Sequence, residues 1–429
     1  MRRLTGFTKE PFRIHKSVTA KIESSSLKKR LASLTRQSQP LGIFTFPKIS
    51  TTAKKEEPDD SNLSLQVNKA SVTQRKTKIK YSRDIAFYHE LKRRVEEYFT
   101  QTGIPRRDSP QMLRKTVVIL SWFAISWALL VFTASNWWQA GVLSISLGLA
   151  MAGIGFSIQH DGGHGAYSKH QSVNQLMAMT LDLLGGSSYI WKWQHNVIHH
   201  SYTNVVGVDH DIDLGLLCRF APQQPHVWFH RFQHLYLWPL YGLLAFNWHF
   251  YSDFEKVVQG RIGEHTFPRP RGRDLVVMLL GKVIFFSWAF VVPALLHPLW
   301  QVVICYLLTS GVASFVLSVV FQAAHCVQEA DFPMVPDGSD QIGNSWARHQ
   351  VETTVDFGRD NGLLTWYVGG LNFQVEHHLF PDVCHVHYPA LSSIVESVCS
   401  EFGVRYTSHQ TFRAAVTSHA RWLWLLGRT

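Results

Sequence analysis

The sequence predicts an all-α integral membrane protein, with four transmembrane helices in two hairpins and a histidine-rich helical cap on the cytosolic side. Three observations predict it. Four apolar runs each reach the thickness of a bilayer, which takes roughly 20 residues. The runs come in pairs, parted by connections too short to hold a domain. Lys and Arg cluster at the ends away from those connections, which marks that face as cytosolic by the positive-inside rule.

Before the membrane lies a segment of different character. Residues 1–115 carry 26 Lys and Arg against 11 Asp and Glu, whereas residues 116–429 carry 16 against 20, so the net charge of +11 belongs to the N-terminal part. Residues 1–80 are rich in Ser, Thr, Lys and Gln and have no sustained apolar period. They have too little apolar surface to offset ordering entropy, so a disordered basic tail is expected, with a targeting segment as the alternative. Within residues 81–115 a helical period appears over 83–99, from Ile85, Phe87, Tyr88, Leu91, Val95 and Tyr98. It predicts a helix lying on the domain that follows.

The membrane domain is expected over residues 116–405, with 406–429 as a C-terminal tail. Its spans read as 116–134, 140–158, 275–296 and 299–324. Asn136-Trp137-Trp138-Gln139 and His297-Pro298 form the two short connections and hold no Lys or Arg. Arg114, Lys115, Arg269, Arg271 and Arg273 flank the opposite ends. Lys282 interrupts the third span, where a charge is costly unless it snorkels or faces inward. Residues 235–246 contain Pro239 and are too short to cross; they read as interfacial, like much of 175–193.

In this topology the histidine groups share one face. His160-Asp161-Gly162-Gly163-His164 follows the second span, and His195-Asn196-Val197-Ile198-His199-His200 lies in the long segment after it. His325 ends the fourth span, and Gln374-Val375-Glu376-His377-His378 follows. Residues i and i+4 lie on one face of a helix, so His160 with His164, and His195 with His199, can each point at one metal. Adjacent pairs such as His199-His200 and His377-His378 point about 100° apart and suit two neighbouring metals better than one. Eight imidazoles exceed the four ligands of a zinc site. Imidazole also binds Zn, Cu, Fe and Ni, so ligand type does not choose the metal. The setting against spans able to shelter an acyl chain does, because hydrogen abstraction from an unactivated methylene needs a redox metal. Zinc has no redox chemistry, and iron is the economical choice. The five cysteines, Cys218, Cys305, Cys326, Cys384 and Cys399, form no Cys-x-x-Cys pair and are read as reduced thiols.

The set His160-x3-His164, His195-x3-His199-His200 and Gln374-x2-His377-His378 resembles the three histidine boxes of membrane fatty-acyl desaturases, over roughly residues 116–405. Gln374 in place of a histidine, and the strings His200-Ser201-Tyr202-Thr203-Asn204 and Leu379-Phe380-Pro381, look like the front-end, linoleoyl-CoA desaturase-like subgroup. That resemblance implies two iron ions, O₂ as co-substrate and a fatty acyl-CoA or acyl-lipid substrate. It also implies a double bond inserted between an existing one and the carboxyl end, and it makes His325 a further iron ligand. Many eukaryotic members carry a fused cytochrome b5 domain with a His-Pro-Gly-Gly motif, which this sequence lacks. A separate electron donor of the ferredoxin or cytochrome b5 type is therefore expected. The basic tail could dock an acidic donor, although a merely solvated tail is the plainer reading. The surroundings are membrane lipid, in a bacterial inner membrane, endoplasmic reticulum or plastid, and no nucleic-acid partner is expected.

Other residues carry weaker signals. Gln374 reads as a hydrogen-bonder holding a metal-bound water, and Asp161, Asp209, Asp211, Asp213 and Glu376 as carboxylates supporting ligand histidines. His226, His230 and His234 run at i, i+4, i+8 among aromatics and read as interfacial. His385 and His387 suit a supporting or a surface role equally. Lys192, Arg219, Arg231 and Arg261 are candidates for the phosphates of a CoA thioester. Two rival functions stand beside desaturation: hydroxylation at the same di-iron site, and a zinc membrane hydrolase or receptor needing no O₂.

Overall fold

The computed structural model describes residues 79–336 and 339–429. The reading of residues 1–80 lies, apart from Ile79 and Lys80, outside them. The first helix runs Ala86–Thr102 and buries Phe87, Leu91, Val95 and Phe99 on one stripe. It stops where Gly103 turns left-handed (φ 66°) and its N–H caps the Phe99 carbonyl, a conformation that glycine adopts without penalty. Its stripe packs on Leu391, Val395 and Val398 of the helix Tyr388–Glu401.

Among the described residues, four helices are long and apolar enough to cross a bilayer: Pro110–Phe132, Trp137–His164, Arg273–Ala294 and Leu299–His325. The first starts six residues before the apolar run at 116. Pro110 occupies the first turn, where its missing N–H costs nothing, and Arg114 and Lys115 continue the helix. In the second, the Asn136 side chain caps the start by accepting from Gln139 N–H. That helix then passes through a π-helical turn at Ile154–Gln159 directly into His160–His164. The third widens into a π turn at Ser287–Val291, just before Pro293. Proline supplies no N–H and crowds the carbonyl four residues earlier, and a wider turn relieves both.

The second long helix packs against both the first and the fourth. Gly148 permits the closest approach, since a Cβ there would lie 2.5 Å from the Thr309 carbonyl. Val117, Val118, Ile125 and Leu129 on the first helix, and Val276, Leu279, Leu280 and Val283 on the third, point outward and exposed. Apolar side chains in that position suit contact with lipid tails. Lys282 instead turns inward to Asp253, 2.8 Å away.

The intervening segments are short helices. Residues 235–246, expected as one interfacial helix, divide into Gln233–Tyr241 and Leu244–Asn247, with the break just after Pro239. Residues 406–429, expected as a tail, are built into the fold. Ser408–His409 pairs in parallel with Asp356–Phe357, and Phe412–Leu426, capped by Thr411, packs on the fourth long helix. Arg219, a candidate for CoA phosphates, is buried and donates to the carbonyls of Gln224 and Leu426. Its guanidinium therefore serves the fold.

Candidate metal centre

The histidine-bearing segments are wound in different ways. His160 and His164 sit on a true α-helical turn, one above the other, with rings 4.7 Å apart. The two glycines between them are required by packing. A Cβ on Gly163 would fall 2.2 Å from the Trp191 ring, and one on Gly162 would fall 2.6 Å from the backbone nitrogen of Ala178. His195 lies on a π-helical stretch, Lys192–Ile198, and His199 and His200 on a 3₁₀ turn, His199–Ser201. His377 and His378 end the short α-helix Gln374–Leu379, and His325 is the last residue of the fourth long helix.

All eight imidazoles converge. Ligand atoms of His160, His164, His195 and His377 lie within 4.8 Å of one another, as do those of His199, His325 and His378. His200 stands between the two groups and joins His377 and His378 in a third. The adjacent pair His377-His378 thus divides between the groups, as neighbours pointing apart should. His195 stacks on His199 with rings 5.2 Å apart, yet its ligand atoms also belong with His160 and His164.

The arrangement fits metal ions better than it fits itself. Nε2 of His200 lies 3.0 Å from Nε2 of His377 and 3.3 Å from Nε2 of His195. Two imidazoles bound at about 2.1 Å to one ion stand roughly 3.0–3.4 Å apart, so these separations are those of shared ligands. Nε2 of His164, His199 and His378 are buried without a hydrogen-bond partner, atoms a cation would satisfy. Burial and the surrounding imidazoles push the pKa of His200, His377 and His378 well down. That direction favours the neutral ring, whose lone pair a metal can take.

The outer nitrogens are held. Nδ1 of His199 donates to Asp209 at 2.9 Å, Nδ1 of His378 to the Gln350 oxygen at 2.8 Å, and Nδ1 of His377 lies 3.3 Å from the Tyr388 hydroxyl. Asp211 Oδ2 is 3.7 Å from Nδ1 of His195. Such contacts would fix the tautomer and turn the inner nitrogens toward a bound ion. Burial opposes a charge on His199, but Asp209 and Asp211 outweigh it and leave its pKa raised. The supports rest on further buried groups. Asn204 (φ 56°) donates its backbone N–H to Asp209 and its side-chain amide to the carbonyls of His325 and Thr353. Thr203 Oγ1 lies 2.8 Å from both the Gln350 oxygen and the His199 carbonyl. Gln350 and Tyr388 gave no signal in the sequence; Thr203 and Asn204 were visible only as members of a string.

The remaining candidates fall as follows. Nε2 of Gln374 is 2.8 Å from Nε2 of His325, and its carbonyl oxygen is buried without a partner. Asp161 turns away from the boxes to accept from Nδ1 of His385 at 2.9 Å, and Lys115 Nζ lies 2.8 Å from the other nitrogen of that ring. Glu376 meets Tyr406 rather than a box histidine, at 3.1 Å. Burial and the neighbouring Asp356 carboxylate raise its pKa, so it is held as the neutral acid. His226 and His230 bond the carbonyls of Gly427 and Leu216 and take no part in the histidine groups. Asp213 lines the adjoining cavity instead of supporting a ligand.

That cavity, of about 450 Å³, reaches His160, His195 and Gln374. Its walls include Met151, Leu184, Leu317 and Phe321, apolar and of a size to take an extended hydrocarbon.

Residues 135–410 match the family described as fatty acid desaturase. Among similar proteins is the sn-1 linoleoyl-lipid 6-desaturase of Arthrospira platensis, 39% identical over 82% of this chain and 95% of that protein. The protein of the same description from Synechocystis sp. is 36% identical over 82% of this chain and 98% of its own length. An acyl-lipid (8-3)-desaturase of Physcomitrium patens is 38% identical over 80% and 72% respectively. A matched segment covering all the histidine boxes, with the first two relatives aligned over nearly their whole length, shows that this chain belongs to the fatty acid desaturase family and is a desaturase enzyme.

Proposed function

We propose that this enzyme is a di-iron, O₂-dependent front-end desaturase of lipid-linked acyl chains. The observation that carries the reading is the two neighbouring groups of buried imidazoles, with Nε2 of His164, His199 and His378 left without a partner, beside a largely apolar cavity. His160, His164, His195 and His377 hold one iron, His199, His325 and His378 the other, and His200 stands at their junction. Iron in these positions supplies O₂ activation, so that one O₂, two electrons and two protons take two hydrogens from adjacent methylenes and leave as two waters. The electrons come from a separate donor protein of the ferredoxin or cytochrome b5 type.

The chain's own residues do the positioning. Asp209, Gln350 and Tyr388 keep the imidazoles oriented, and the apolar part of the cavity holds the methylenes against them. Gln374 stands beside His325 with a free carbonyl oxygen, suited to hold a water at the metal. The acyl-lipid form of the substrate, and attack between an existing double bond and the carboxyl end, follow the relatives named for linoleoyl-lipid and acyl-lipid substrates. The four long helices form two hairpins with the histidines on the cytosolic face, supported by the Lys and Arg at 114–115 and 269–273.

The test is expression with an electron donor in a host lacking polyunsaturated lipids, fed linoleate, with double-bond positions read by mass spectrometry. A new double bond on the carboxyl side of the existing one is expected. His199→Ala and His377→Ala should each abolish it. A hydroxylated product, or desaturation retained in either variant, would refute the assignment.

A further inference from the structure

Two buried lysines act on the same Asp253, and they are treated differently by the fold: Lys256 borders the cavity and Lys282 does not. Lys282 donates to the Gly185 carbonyl at 2.6 Å, the Trp248 carbonyl at 2.7 Å and Asp253 at 2.8 Å. An ammonium has three protons, and each has its acceptor. Lys256 is only 8% exposed, borders the cavity, and has one acceptor, the Gln194 oxygen at 2.6 Å. Among the described residues no carboxylate lies within 4.0 Å of it. Asp253 is taken by Lys282, and Asp211 accepts from the Gln194 amide at 2.5 Å. Burial lowers the Lys256 pKa while Asp253 and Asp211 work to raise it. One acceptor for three protons leaves donor capacity on a residue that lines the cavity, an arrangement that native interiors seldom leave unused.

Its position relative to the histidines is as informative. Gln194 is the residue before His195, and the same side chain bonds both Lys256 and Asp211, which approaches His195 in turn. Lys256 is therefore tied to the metal-binding end of the cavity. The same cavity is lined by Asp213 and the exposed Leu214 and Leu217, and also by Met151 and Ala313 on the long apolar helices. A donor near the histidines with a long apolar reach beyond them suits a chain held by its carboxyl end.

We propose that Lys256 binds the carbonyl oxygen of the acyl ester, so that the position of attack is counted from the carboxyl end of the chain. The inference rests on the desaturase reading above and adds its ruler. A neutral carbonyl fits better than a phosphate or a free carboxylate. Asp253, Asp211 and Glu255 all act on this cation, and their negative field disfavours an anion while leaving a neutral acceptor unopposed.

The test uses the full chain in proteoliposomes with an electron donor and phosphatidylcholine carrying linoleoyl chains. KM, turnover, double-bond positions and iron content are measured for the wild type, Lys256→Met and Lys256→Arg. K256M should keep its iron, raise KM at least tenfold, and spread the double bond over neighbouring carbons. K256R keeps the charge on a longer side chain and should move the product position, which carries the test if K256M fails to accumulate. Wild-type KM with one unchanged position in K256M, or an unchanged position in K256R, overturns the proposal. So does a loss of iron or thermal stability with position unaltered, the mark of a purely structural lysine. A wild type that forms no double bond at all refutes the desaturase reading itself, and with it the ruler.

Discussion

Asp209 supports the centre without touching the ion, and its removal separates ligand orientation from ligand identity. The side chain is buried, and it accepts from His199 Nδ1 at 2.9 Å, from the Asn204 N–H at 2.9 Å and from the Asp211 N–H at 3.0 Å. Asp209→Ala deletes all three. Loss of such an outer partner costs about 10- to 100-fold in metal affinity, which is roughly 1.4–2.8 kcal/mol at 1.4 kcal/mol per tenfold. Each buried N–H left unmet adds about 1–3 kcal/mol of destabilisation. Asp209→Asn divides the two effects, because it retains an acceptor oxygen for the backbone while giving up the charge that faces His199. Iron retained per protein across a chelator series, with thermal unfolding measured in parallel, reads both. D209A should release its iron at a chelator concentration about 10- to 100-fold below wild type. D209N should fall between, with a smaller loss of thermal stability. If D209A holds iron like the wild type, the outer hydrogen bonds do not govern the site and the orientation argument fails.

Three further outcomes follow from the same geometry. Gly163→Ala forces Trp191, which stacks on His195 at 4.6 Å, out of place; a loss of about 1–3 kcal/mol in stability together with loss of iron is expected, by thermal unfolding and metal analysis. Lys282→Met leaves Asp253 as an uncompensated buried charge and should destabilise by about 3–5 kcal/mol, with recovery in a double variant that also carries Asp253→Asn. Glu329, beside Ser418 and 3.2 Å from His409, is opposed by burial but brought down to about 2 by those partners. Its folded pKa lies below its unfolded value, so its contribution is present above about pH 4.5 and is lost as pH falls toward 2. Hydrogen exchange in Phe412–Leu426 should rise over that window in the wild type, and Glu329→Gln should flatten the response.

The long helices and the histidine spacing were open to reading because both depend on local pattern. An apolar run of bilayer length needs no partner to be recognised, and the four runs at 116–134, 140–158, 275–296 and 299–324 each lie mostly within one observed helix. Their ends moved for local reasons, Pro110 at one start and Pro293 near one end. The role of residues 408–426 was hidden because their partners are far away in sequence. Ser408–His409 finds its strand at 356–357, and the helix after it packs on the fourth long helix. Periodicity also assumes one winding. It carries no sign of the π turn under His195 or the 3₁₀ turn under His199 and His200.

On the proposed di-iron reading, that change of winding bears on how the boxes would divide their histidines between two metals. On a single α-helix, His195 and His199 would stand on one face and His200 about 100° away. On the observed π-to-3₁₀ path the His195 and His199 rings still stack, but His195 also shares a ligand group with His160 and His164, and His199 with His325 and His378. The spacing therefore specifies which histidines reach the centre, while the partition between ions depends on the backbone that carries them and on what holds each Nδ1. Those holds are Asp209 for His199, Gln350 for His378 and Tyr388 for His377, contributed by segments 10, 28 and 11 residues from the rings they orient. A histidine pattern grafted onto another helical scaffold without these three residues would keep the ligands and lose their direction. Restoring the three together, rather than any one, is what should recover two-metal occupancy, since each fixes a different imidazole.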